Sequence, residues 1–457
     1  MMFKTLAPVS LTTLLAFVAV STEAREPQVY FNYETSRQVF RELANEVISN
    51  QNYGSPENRP SLEKIKVEYP GSENNDLTID ALIIPARKKR SVVIQINSGV
   101  HGLETPTGSY LQQRFLSDCL PSLPEEFLDE TTFVVTHSLN PWGFKHANRF
   151  NGNNVDLNRN CGGAKTGGEF DVCDAGKPNK DYNEIKWLFD RLVESDAPIN
   201  LELCKLEVGL AALYYGGLSG PSSFLEKALK GQTEDPNGIY FAGKELQREC
   251  KAYEHFSKQF YEGENSHRDS LTLTWHTGYG TIGHLQLMGD CSDLDDQKLV
   301  GLLKDQAFVP GELQQLDLDP SFKTCNDENV WLRRVEPDRQ PNAGTGLNGY
   351  LTAEIGGRGG LDSVCAVLKA RQVALRQQIG KPLFDGNIAA EKEFRNQVFG
   401  VFNPTDDKVY TQASRKNYSQ ILDDHAKYSC QAIEKYIRAV SASPTGQPDE
   451  GNAAATR

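Results

Sequence analysis

Short apolar runs separated by amphipathic stretches constrain this chain more than any other feature. VVIQI at 92–96, FVVTHSL at 133–139, LTLTWHT at 271–277 and GYLTAEI at 349–355 have the length and β-branched content of strands. Each stops at a glycine or at an Asn-Ser or Asn-Pro turn. Helical periodicity follows in SYLQQRFL, near YNEIKWLFDRLVES, and in DSVCAVLKARQVALRQQI. Strands alternating with helices predict an α/β protein with a mostly parallel sheet covered on both faces. Residues 28–50 read as a further helix, and 62–85 as two strands around the turn GSENND. The stretch 220–265 reads as a polar helical insertion holding the turn-rich loop EDPNGIYFAG, and QILDDHAKYSCQAIEKYIRAV as a C-terminal helix.

The turn after the first of these strands carries unusual residues. In INSGVHGLETPTGSYLQQRF, His101 and Glu104 stand three apart between a buried strand and a helix, with Thr105 placed to cap the helix and Pro106 at its first position. Ligands of open α/β sheets bind at this carboxyl end of the strands. A histidine and a carboxylate held there by a glycine-flanked turn are two ligands of the type zinc takes, and a catalytic zinc site needs a third. Of eight histidines, His276 alone repeats the context, ending LTLTWH before Thr277-Gly278. His137 also ends a strand but precedes Asn140-Pro141 and reads as a core residue or a support to the site. Glu354 is a lone acid in the apolar run GYLTAEIGG, a position that desolvation makes costly unless the carboxylate has work to do. ANRFNGNNVDLNRNCGG, 147–163, places Arg149 and Arg159 in one loop, where they could grip an anion or polarise a carbonyl. GTGLNG and GYGTIG match the spacing of a dinucleotide turn, but neither lies between a strand and a helix, so no such cofactor is expected.

In this order, G-x-H-G-x-E, N-x-D-x-N-R-N, a strand-end His-Thr-Gly and a strand-borne Glu before Gly-Gly resemble the zinc carboxypeptidase superfamily. The fuller wording resembles a poorly characterised, largely bacterial branch of it, over residues 30 to 400. The resemblance implies a mixed, mostly parallel eight-stranded sheet between helices. It implies zinc held by His101, Glu104 and His276, with Glu354 as general base, Arg149 stabilising an oxyanion, and Asn158 and Arg159 holding a terminal carboxylate. A zinc-dependent hydrolase of amide bonds follows, most simply a carboxypeptidase acting on peptides. The rivals are a deacylase of N-acyl amino acids, a murein-peptide amidase, and a non-catalytic zinc-binding module. None of the 17 tyrosines matches the one that the digestive enzymes bring over their substrate. The division expected is 25–90 for the first helix and strands, 91–400 for the catalytic body with its 220–265 insertion, 401–440 for a helical segment and 441–457 for a disordered tail.

Residues 1–24 read as a cleaved signal peptide: Lys4, an apolar stretch from Leu6 to Val20, then Ser21-Thr22-Glu23-Ala24. A periplasmic or secreted protein is expected, with no membrane contact once the leader is removed. Nine cysteines fit an oxidising compartment, with Cys161 and Cys173 able to pair across a glycine-rich loop. A net charge of -13 argues against nucleic acid as a partner.

Overall fold

The computed structural model describes residues 26–69, 76–88, 92–161, 180–216, 229, 231–260, 267, 269–278, 285–288, 348–355, 360–404 and 417–441. Among them, seven strands form one sheet in the order β1-β2-β4-β3-β5-β7-β6. The strands are β1 (Ser61–Lys66), β2 (Thr78–Ile84), β3 (Val92–Ser98), β4 (Thr131–His137), β5 (Asp269–Thr277), β6 (Leu285–Met288) and β7 (Asn348–Ile355). Pairings β3·β4, β3·β5 and β5·β7 are parallel, while β1·β2, β2·β4 and β6·β7 are antiparallel. The mixed sheet is as expected. Its eight strands are seven among the described residues, and the expected parallel majority is an even split. The parallel strands are the central ones, whose crossovers need helices. The antiparallel ones are at the margins, where β1 and β2 are joined by a short link.

Among the described residues, eight longer helices flank the sheet: α1 (Tyr33–Ser49), α2 (Thr105–Arg114), α3 (Lys180–Val193), α4 (Leu201–Gly216), α5 (Arg248–Ser257), α6 (Leu361–Gln378), α7 (Ile388–Phe402) and α8 (Tyr418–Ser441). On one face Phe40 and Ala44 of α1, Tyr110 and Leu111 of α2, and Leu422, Ile433 and Ile437 of α8 bury Ile94, Ile96, Leu271, Leu273 and Trp275. On the other, α3 to α7 supply Ile185, Val208, Tyr253, Leu368 and Phe399 against Val93 and Val134. α1 begins where Asn32 accepts the Thr35 amide at 2.8 Å, a side-chain cap for an otherwise orphaned donor. Within the 220–265 stretch, α5 packs against the sheet through Tyr253.

Among the described residues, three disulfides tie distant segments: Cys119–Cys430, Cys161–Cys250 and Cys204–Cys365. The expected Cys161–Cys173 pair is therefore corrected. α5 brings Cys250 beside Cys161, and Cys173 lies outside the described residues. Such bridges are those of a chain folded in an oxidising compartment. No helix among the described residues is long and apolar enough to cross a membrane. Residues 1–24, read above as a leader, and the 441–457 tail, apart from Ser441 at the end of α8, also lie outside them.

His137 is fully buried, stacked on Phe40, with Nε2 2.9 Å from Ser36 Oγ. Burial pushes its pKa down to about 4. The unfolded chain, with an ordinary histidine near 6.5, then holds more protons than the folded one between about pH 4 and 6.5. Stability is full above that window and falls as pH drops through it, by about 1.4 kcal/mol per pH unit for this one group. Thermal unfolding followed from pH 7 to 4.5 should show this slope, and His137→Gln should flatten it whatever its effect on stability at pH 7.

Candidate metal centre

β3 ends at Ser98, and the next six residues turn the chain into α2. Gly99 takes φ +72°, the left-handed region, and a Cβ on it would meet Ser138 Oγ at 2.5 Å. Gly102 approaches the Pro141–Lys145 turn so closely that a Cβ would stand 2.0 Å from the Gly143 carbonyl carbon. These two glycines explain why the motif reads S-G-V-H-G. Residues Gly102–Glu104 form a single 3-10 turn, and Glu104 occupies the position before α2 without capping it. The expectation that Thr105 caps α2 is corrected. Thr105 is the first helical residue, its hydroxyl 3.4 Å from the His101 carbonyl. The cap comes instead from Asn403, just past α7, which accepts the Thr107 amide at 2.9 Å and donates to the Leu103 carbonyl at 2.7 Å. A distant side chain thus satisfies the helix end, and the Glu104 carboxylate is left to the cluster.

That cluster is compact. His101 Nδ1 lies 2.9 Å from Glu104 Oε1, and His276 Nδ1 lies 3.0 Å from Glu104 Oε2. The two Nδ1 atoms are 3.2 Å apart. All three residues are at most 3% exposed. Among the described residues they form the one group of three that could hold a metal ion, with ligand atoms within 4.8 Å of one another. Two imidazoles and a carboxylate are a donor set zinc takes, and bond lengths near 2 Å put tetrahedral ligands roughly 3.3 Å apart. The residues fit the ion. Burial alone would raise the Glu104 pKa, but His101 and His276 hold it well below the usual carboxylate range.

The surrounding residues fix the cluster. Asp156 Oδ1 accepts from or pairs with His101 Nε2 at 3.1 Å, orienting the ring so that Nδ1 faces Glu104. The same oxygen accepts the Asn158 amide at 3.0 Å, at the start of the short helix Leu157–Asn160. Burial would raise Asp156, yet Arg149 and His101 bring it well below its ordinary value. Arg149 donates Nε to Asp156 Oδ2 and Nη1 to Glu104 Oε1, both at 3.0 Å, with Tyr240 under its guanidinium at 5.3 Å. Thr277 donates its amide to Glu104 Oε2 at 3.1 Å.

Asp156, inside N-x-D-x-N-R-N, and Tyr240, inside EDPNGIYFAG, are parts of the site to which the sequence alone assigned no role. The signal for Asp156 was there: an acid two residues before an Asn-Arg pair in a loop of turn formers. A carboxylate behind a ligating histidine typically governs metal affinity by 10- to 100-fold. Asp156→Asn should therefore weaken zinc binding by about that factor in a chelator competition, with the far-UV spectrum unchanged.

Arg159 lies in the same loop. Its Nε and Nη2 both donate to the Leu229 carbonyl, at 3.1 and 2.7 Å, and Nη1 donates to the Asn158 carbonyl at 3.2 Å. The loop is tied to the 220–265 stretch by the Asp156 amide to Phe241 carbonyl bond, 2.8 Å, and by the Cys161–Cys250 bridge. Glu354 is the residue of β7 in register with His276 of β5, at the carboxyl end of the parallel strands, while its side chain lies outside the described set. Of the other histidines, His267 is buried between Phe260 and Thr132 and His425 sits in α8, away from the cluster. His284 lies outside the described residues.

In structure the chain is similar to a metallo-carboxypeptidase from Burkholderia cenocepacia, at 11% identity and a TM-score of 0.35, over 76% of this chain and 69% of that one. It is also similar to carboxypeptidase A from Helicoverpa armigera, at 12% identity and a TM-score of 0.37, over 83% of this chain and 79% of that one. No protein of curated function matches it in sequence. Residues 31–303, more than half of the chain, match the family described as "Protein of unknown function (DUF2817)", and the chain belongs to that family.

Proposed function

We propose that the protein is a zinc-dependent hydrolase of amide bonds, most simply an exopeptidase that releases C-terminal residues from peptides. The convergence of His101 Nδ1, Glu104 and His276 Nδ1 within hydrogen-bonding distance, at the carboxyl end of the parallel strands, carries this reading. Zinc held there supplies Lewis acidity toward a carbonyl and toward water. Glu354, beside His276 in register, takes the proton of the attacking water and returns it to the leaving amine. Arg149, charged and anchored by two buried carboxylates, stabilises the oxyanion as it develops. Asn158 and Arg159 hold the free carboxylate of the substrate. The disulfides support export to the periplasm or beyond.

One observation favours a second reading. The guanidinium of Arg159 spends two donors on the Leu229 carbonyl, which leaves fewer for a substrate carboxylate and favours a murein-peptide amidase cutting an internal amide bond. Zinc-loaded protein assayed on peptides with free and amidated C-termini, on N-acyl amino acids and on murein peptides separates them. Arg159→Ala should reduce kcat/KM on free-carboxylate peptides at least about tenfold more than on amidated ones, the loss of a charge-assisted pair. Equal losses on both would remove the exopeptidase reading and leave the zinc chemistry in place. Zinc-loaded protein inert on every class would leave a binding module.

A further inference from the structure

Helix α4 is apolar on two opposite faces. Cys204, Val208 and Ala212, spaced one turn apart, are buried in the core beside α6, and the Cys204–Cys365 bridge fixes the helix there. The other face carries Leu203, Leu206, Leu210 and Leu213, each between 59% and 63% exposed. Tyr214 extends it and is 80% exposed. Trp187 of α3, half exposed, adjoins it: the Trp187 Nε1 donates to the Tyr215 hydroxyl at 3.1 Å, and the rings of Tyr214 and Tyr215 lie 5.0 Å apart.

A helix that is apolar all round belongs in an interior. Single exposed leucines are ordinary, but a contiguous apolar patch above roughly 600 Å² marks a contact surface. The four leucines, Tyr214 and Trp187 together expose about 700 Å², close to the roughly 800 Å² that each partner contributes to a stable complex. The bridge to α6 holds this surface on a rigid backing, so little order has to be gained on contact.

The order of the leucines identifies the partner. Their spacing of three, four and three residues is that of the a and d positions in a seam between two helices. It is also symmetric about Val208. A twofold axis level with Val208 sets Leu203 of one copy against Leu213 of the other, and Leu206 against Leu210. The paired helices then run antiparallel, the positive end of each beside the negative end of its partner. The rim speaks against an anionic lipid surface. Lys205 is taken by Glu202 at 2.8 Å and Asp362 at 3.1 Å, and Arg191 by Glu207, in a chain of net charge -13.

We propose that the leucine face of α4 is the interface of a homodimer and pairs with the same face of a second copy. Neither zinc nor substrate takes part in it. Sedimentation velocity of the disulfide-intact protein at about 10 μM should therefore show a dimer with or without zinc, as expected of an interface of standard size. Leu206→Glu/Leu210→Glu should sediment as a monomer, its association weakened at least about a hundredfold, because four buried leucines per dimer become carboxylates. Leu206→Lys/Leu210→Lys should also be monomeric alone. Mixed in equal amounts, the two variants should dimerise, each glutamate meeting a lysine, and zinc content should match the wild type throughout. If the charged variants lose their far-UV spectrum, Leu203→Ala/Leu213→Ala only trims exposed side chains and should still weaken association at least about tenfold. A dimer that survives in well-folded charged variants has its interface elsewhere and overturns the proposal. So does a wild type still monomeric at about 100 μM, whether phosphatidylcholine vesicles then carry it in flotation or another segment of the same chain covers the leucines.

Discussion

Purified His101→Ala should retain less than about a tenth of an equivalent of zinc after dialysis, where the wild type keeps one, because two ligands, Glu104 in the turn before α2 and His276 on β5, do not hold the ion against water. His101 is the ligand with the most support. Its Nδ1 faces Glu104 at 2.9 Å, and its Nε2 is held by Asp156 at 3.1 Å. The substitution therefore empties the middle of the cluster and also leaves Asp156 and Arg149 as a pair without their third member. A ligand bound only by the native state raises its stability, so zinc should raise the unfolding midpoint of the wild type and chelator should lower it. The variant should respond to neither. A full equivalent of zinc in His101→Ala would end the metal assignment, whatever the activity.

Glu354→Gln should do the opposite: bind zinc as the wild type does, stay folded, and lose at least about a hundredfold in kcat/KM, the lower end of what a general base contributes. Glutamine preserves size and one acceptor oxygen but accepts no proton at neutral pH. The register of β5 and β7 sets Glu354 beside His276 at the strand ends. His101, Glu104 and His276 would supply three protein ligands, and a fourth would close the site to water. Loss of zinc in Glu354→Gln would make the residue a ligand. Full activity would end its role as base and leave the metal centre standing.

The central strands, the turn at 99–104 and the pairing of His101 with His276 were legible because each is a local pattern: β-branched runs, glycines at fixed offsets, a histidine before a glycine. Helix α4 was not. Its sequence LELCKLEVGLAALYYG is apolar on all sides, with Leu203, Leu206, Leu210 and Leu213 exposed, so no helical stripe stands out. The Thr105 cap failed for another reason. Local chemistry allowed it, but Asn403 won the helix end through a tertiary contact that no window of sequence contains. The same holds for Cys161, whose nearer candidate partner lost to Cys250 on α5. Asp156 lay in plain view inside a quoted motif, yet its meaning depends on His101, 55 positions earlier, being turned toward it. The polar alternation of LTLTWHT was visible as well, but only the cover of α5 shows that both of its faces are buried.

Helix α8 sets an order of assembly. Leu422, Ile433 and Ile437 close the side of the sheet on which α2 rests, and Cys430 bonds to Cys119, 311 positions earlier. α2 grows directly out of the turn that bears His101 and Glu104. As the chain leaves the ribosome or a translocation pore, the metal-bearing turn emerges early, yet the layer that steadies its helix arrives only with the final 24-residue helix. Interrupted synthesis would therefore leave a chain with every ligand in place and the flank of α2 bare. The flank of α2 is covered by a segment far along the chain, and the Cys119–Cys430 bridge, across 311 positions, fastens that cover.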